Sequence, residues 1–76
     1  KITGESGEYV DRRFKLFSIN TDYDDVFLEK PTGRDPSDQG WSDTPNQETP
    51  NNINYVSEAR KFFDGQMKSD WSDPVP

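Results

Sequence analysis

The sequence predicts a chain with little regular structure. It reads as mostly extended and irregular, with one amphipathic α-helix near the C-terminus and at most one short strand near residues 12–19. It does not read as an autonomous globular fold. Three observations lead there. Of 76 residues only 28% are apolar, against roughly 45–50% in ordinary domains on a count that includes Gly. A chain this short buries a modest share of its surface even with ordinary composition, and the entropy of ordering the backbone must still be offset. Cys and His are both absent, which removes disulfide staples, thiolate metal sites and the commonest imidazole chemistry.

The apolar residues fall into two clusters, Tyr9–Leu28 and Ile53–Trp71. This divides the chain into an aromatic-rich binding segment (1–30), a polar Pro/Gly-rich linker (31–51) and a C-terminal helix with a Trp-containing tail (52–76). Gly4-Glu5-Ser6-Gly7 reads as a flexible turn. In Arg12-Arg13-Phe14-Lys15-Leu16-Phe17-Ser18-Ile19, Phe14 and Leu16 share one face of a strand and Phe17 and Ile19 the other. A lone strand is not stable in water, so it needs a sheet edge from another chain, the strand-addition mode of recognition. Asp22-Tyr23-Asp24-Asp25 leads into Val26-Phe27-Leu28, which suits either one helical turn capped by Asp22 or an extended peptide.

The stretch from Glu29 to Asn52 holds a single apolar side chain, Trp41, among Pro31, Gly33, Pro36, Gly40, Pro45 and Pro50. Proline at this density excludes helix and interrupts a sheet ladder, and the stretch reads as an extended strap. Beyond it, Ile53, Val56, Phe63 and Met67 form a helical stripe with Ala59 and Phe62 beside it. Asn51, Asn52 and Asn54 are good N-cap types, and the basic residues Arg60, Lys61 and Lys68 come late, as a helix dipole favours. The helix is expected from about Asn52 to Asp64, reaching at most Lys68.

The net charge of −6 and pI near 4.4 disfavour direct contact with nucleic acid or an anionic membrane surface. They point to partners with basic patches. No apolar run is long enough for a transmembrane segment. Lys1 in first position suggests processing from a longer precursor or a fragment, with a lean toward an organelle (chloroplast or mitochondrion) after loss of a targeting peptide.

No catalytic, cofactor or metal residues are expected, and no small-molecule substrate. An EF-hand reading from Asp22 fails, because its sixth and twelfth positions are Phe27 and Gly33 instead of Gly and Glu. Arg12, Arg13 and Lys15 form the one basic spot. Thr44-Pro45 and Thr49-Pro50 fit proline-directed phosphorylation. Trp41-Ser42-Asp43-Thr44-Pro45 echoes in Trp71-Ser72-Asp73-Pro74, which fits a short anchor used twice, with Trp filling a pocket and Pro stiffening the exit.

The expected function is a non-catalytic accessory or scaffold subunit. It would be intrinsically disordered alone, fold upon binding, and dock in extended form to bridge neighbouring protein subunits of a multisubunit complex. The alternatives are a disordered acidic regulatory segment with aromatic anchors and, third, a small autonomous α+β domain. The partner-binding residues expected in the first cluster are Phe14, Leu16, Phe17, Tyr23 and Phe27. Trp41 stands in the strap, and Val56, Phe62, Phe63, Met67 and Trp71 belong to the C-terminal part.

Overall fold

A computed structural model describes residues 7–76; the turn read at Gly4-Glu5-Ser6 lies outside them. Two long strands, β1 (Glu8–Ser18) and β2 (Asn52–Phe62), pair antiparallel along their whole length, from Glu8 opposite Phe62 to Ser18 opposite Asn52. The residues between the strands wind back over one face of this ribbon. They form a short helix, α1 (Tyr23–Leu28), and a single 3-10 turn at Pro36–Gln39. The result has a radius of gyration of 14.0 Å and extents of 49 × 22 × 19 Å.

This fold corrects two expectations. The chain is not mostly irregular or intrinsically disordered: among the described residues 37% lie in strands or bridges and 14% in helical turns, and they form a folded globule. The amphipathic helix expected from Asn52 to Asp64 is absent, and the same residues form β2. Along the strand the residues of the expected helical stripe divide between the two faces, and Phe63 and Met67 lie beyond its end. Ile53, Tyr55, Ser57, Ala59 and Lys61 face the covered side, while Asn54, Val56, Glu58, Arg60 and Phe62 face the other. Ile, Tyr, Val and Phe favour the pleated sheet, and β1 supplies the partner that makes the choice. The strand expected near 12–19 is present and begins earlier, at Glu8. Its sheet partner comes from this chain itself.

α1 begins after Asp22, whose side chain makes no capping bond, so Asp24 and Asp25 in its first turn act through the helix dipole. It buries Val26 completely and stops before Pro31. The 3-10 turn is more tightly specified. The Asp35 carboxylate accepts hydrogen bonds from the Ser37 N–H (3.2 Å) and hydroxyl (2.7 Å), and Pro36 opens the turn. Gly40 closes it at φ 87°, in the left-handed region.

The polar strap is ordered by a device that apolar counting overlooks. Trp41 and Trp71 are fully buried, and each donates its indole N–H to a strap carbonyl: Trp41 to Glu29 (2.8 Å) and Trp71 to Gly33 (2.8 Å). Pro31, Pro36 and Pro74 are also fully buried. They pack like apolar residues while costing little chain entropy to order. Phe17, Val26 and Trp41 form the core with Tyr55 against it. The Phe17 ring lies 5.3 Å from Tyr55, edge on, and 6.1 Å from Trp41, within the range in which aromatic pairs add stability.

Beneath the second tryptophan the covered face is ionic. Asp11 bridges Arg13 (2.8 Å) and Lys61 (2.6 Å), all with side chains at most 13% exposed. Lys61 also donates to the Arg34 carbonyl and lies 5.5 Å from the Trp71 ring centre. Arg13 reaches the Ser37 hydroxyl at 3.1 Å. Burial pushes the Asp11 carboxyl up, but hydrogen bonds from Arg13 and Lys61 outweigh it and hold the group below the usual carboxylate range. The Asp11 hydrogen bond likewise raises Arg13. The cations expected to complement a helix dipole, or to form a basic spot, are thus partly spent inside: Lys61 and Arg13 tie the strap to the sheet.

Candidate functional site

The two faces of the ribbon differ. The face carrying Asp11, Arg13, Phe17, Ser57, Ala59 and Lys61 is closed by the strap and the C-terminal segment. The opposite face has no such cover, and Phe14, Leu16 and Val56 are only half-buried there. Phe14 and Val56 are direct cross-strand partners. Both turn their backbone groups away from each other, Phe14 toward Ser42 and Val56 toward Val75. They therefore form a non-hydrogen-bonded pair, the arrangement that brings side chains closest. They lie in a groove of about 590 Å³ lined also by Pro45, Asn46, Glu48, Asn54 and Pro76.

The tryptophan echo builds this groove. In each copy the Trp is buried and the following Ser crosses a sheet edge. Ser42 exchanges backbone bonds with Phe14 on the edge of β1, both at 2.8 Å. Ser72 donates to the Glu58 carbonyl on the edge of β2 (2.8 Å), while its hydroxyl accepts from the Glu58 N–H (2.9 Å). Three residues after Ser42, Pro45 reaches the open face; four after Ser72, Pro76 reaches it from the other side. Asn46 and Asn54 lock the rim side chain to side chain at 3.0 Å, and Glu48 accepts the Asn54 N–H at 2.8 Å.

The residues expected to bind partners divide three ways. Phe14, Leu16 and Val56 share the open face, Phe14 and Val56 in the groove. Phe17, Trp41 and Trp71 are interior, and their burial gives them a packing role. The others lie apart. Tyr23 and Phe27 are 45% and 44% exposed on α1, with the Tyr23 hydroxyl donating to the Pro74 carbonyl at 2.8 Å. Phe62 and Phe63 stand at one end of the ribbon, where the Phe63 ring stacks on Tyr9 at 6.0 Å. Met67, half-buried, pairs with Lys61. Sequence reasoning did not select Pro45, Asn46, Asn54 and Pro76. The signal for Pro45 and Pro76 was the Trp-Ser-Asp echo, each copy of which leads the chain past a sheet edge toward this face; Asn46 and Asn54 carried none.

Among the described residues no group of three or more His, Cys, Asp or Glu could hold a metal ion, and no helix is long and apolar enough to cross a membrane. No protein-family model matches the chain, and neither a curated protein nor a solved structure is significantly similar to it.

Proposed function

We propose that the chain is a non-catalytic accessory or scaffold module that binds other protein subunits through its open sheet face, in folded rather than extended form. The observation that carries this is the asymmetry of the ribbon. One face is closed by the chain's own strap, while the other keeps Phe14 and Val56 half-exposed between two prolines, with Leu16 half-buried beside them on the same face. Aromatic and aliphatic side chains grouped in a groove with a polar rim are the usual centre of a protein contact. The net charge of −6 favours a partner surface with basic patches.

Co-purification of the chain from its native source, at high salt, tests the reading. Wild-type chain is expected to stay with its assembly in stoichiometric amount. Leu16→Asp, which leaves the covered face intact, is expected to be lost while its circular dichroism stays native. Salt-labile, substoichiometric retention of the wild type refutes the proposal, as does retention indifferent to Leu16→Asp.

A further inference from the structure

Almost every edge of the ribbon is occupied. Along β2, the residues from Met67 to Val75 run beside the strand. Their backbone and serine side chains satisfy the outward groups of Val56, Glu58 and Arg60. On β1, Ser42 caps Phe14. The outward backbone groups of Leu16 have no partner among the described residues either, and the longest open stretch lies before Phe14. Phe14 points its N–H and C=O outward, so by strand alternation Glu8, Val10 and Arg12 do the same, and no described residue pairs with their backbone groups. Val10 is 43% exposed. An open strand edge with free donors and acceptors is a template for another strand.

We infer that this edge pairs with the same edge of a second copy of the chain, antiparallel, about a two-fold axis through Val10. The stretch is self-complementary in that register. Val10 meets Val10 of the second copy, and Glu8 meets Arg12 in both directions, so opposite charges stand directly across the new seam on the same sheet face. All three residues turn their backbone groups outward, so each pair is a hydrogen-bonded one, giving about six new backbone bonds. A two-fold through Arg12 would set like charges face to face and drive Val10 against Phe14, whose edge Ser42 already fills. The Val10 axis alone uses the open stretch from end to end. Arg12 already binds Glu58 at 2.5 Å, and Glu8 binds Lys68 at 2.6 Å, so the paired copies would form a charge ladder across the seam.

Pairing turns two ribbons into a four-stranded sheet, well above the two strands that are marginal in isolation. It also places both open faces on the same side. This does not depend on the proposed partner-binding role, since it concerns the strand edge and no other protein.

Sedimentation equilibrium of the full chain, up to sub-millimolar concentration, tests it. The wild type is expected to form a dimer. Val10→Pro removes a donor that bonds nothing within one copy, so it is expected to keep the fold by circular dichroism and abolish the dimer. Glu8→Arg and Arg12→Glu each set like charges across the two-fold. Each is expected to weaken self-association roughly tenfold or more. Mixed one to one, these two variants face each other with opposite charges at both positions, so the mixture is expected to recover the dimer. A wild type that stays monomeric overturns the inference. So does a dimer that survives Val10→Pro, or a mixture no tighter than its components.

Discussion

Replacing Trp41 by Ala removes the largest side chain of the core cluster, one that is 0% exposed. Burial of a Trp lost to Ala costs about 3–5 kcal/mol in well-packed interiors. The Glu29 carbonyl, which accepts its indole N–H at 2.8 Å, also loses its partner, adding on the order of 1 kcal/mol. A domain of this length has a total stability of about 4–11 kcal/mol, so Trp41→Ala is expected to leave the chain largely unfolded near the lower end of that range. Trp41→Phe keeps much of the apolar volume and is expected to remain folded, with stability lowered by about 1–3 kcal/mol. Urea titration followed by circular dichroism and by the emission of Trp71, the remaining indole, measures both. The wild type should unfold in one cooperative step, because the strap and the sheet share one core. An unchanged midpoint for Trp41→Ala, or a wild type with no cooperative transition, refutes the account of how the strap is held.

Acid should loosen the covered face. Asp11 is held below its ordinary value of 3.8, so the stability it contributes is fully present above about pH 4 and is lost as pH falls through its lowered folded value. Asp11→Asn is expected to flatten that part of the stability–pH curve, while costing on the order of 3 kcal/mol at neutral pH because Arg13 and Lys61 lose their shared anion; urea midpoints from pH 2 to 7 provide the check. Gly40→Ala places a side chain at φ 87° with its Cβ 3.3 Å from the Lys15 side chain, and should lower stability by about 1–2 kcal/mol in thermal unfolding. Arg12→Ala breaks an ion pair with Glu58 whose side chains are 57% and 45% exposed, so its effect on the urea midpoint should stay below about 1 kcal/mol.

The strand at β1 was legible because Phe14 and Leu16 fall on one face and Phe17 and Ile19 on the other, over a short run rich in aromatic residues. The helical turn at Tyr23–Leu28 was legible as one of two options, since an acidic start and a Lys-Pro stop bracket it. β2 was misread for a physical reason. Ser57 and Lys61 occupy the covered face on either side of the small Ala59, and neither marks an inward strand position by hydrophobicity. The inward pattern therefore vanished halfway along, while Val56, Phe63 and Met67 matched a helical period. Ser57 is buried because its hydroxyl donates to the Ser72 carbonyl at 2.6 Å, and Lys61 because Asp11 and a strap carbonyl receive it. Neither contact has a local signature, for each joins residues far apart in sequence. The strap was misjudged in a similar way. Its prolines counted as breakers, yet Pro31 and Pro36 are buried, and its order comes from accepting the indole and ammonium groups of distant side chains.

The internal use of cations changes what the molecule shows its surroundings. The sequence has nine Lys and Arg against fifteen Asp and Glu. Arg13 and Lys61 are held inside by Asp11, which removes two cations and one anion from the surface. Lys15, only 22% exposed in its side chain, bends to Glu29 and the Gln39 carbonyl. The outer surface is therefore more acidic in proportion than the composition states. The groove follows the same trend, since its one charged lining residue is Glu48. A partner for the open face must then combine an apolar centre for Phe14, Leu16 and Val56 with cationic groups placed for the rim. Such a surface would associate faster at low salt and still hold at high salt through apolar contact. A purely electrostatic partner would be released by salt, so the salt dependence of the off-rate separates the apolar groove from the acidic surface around it.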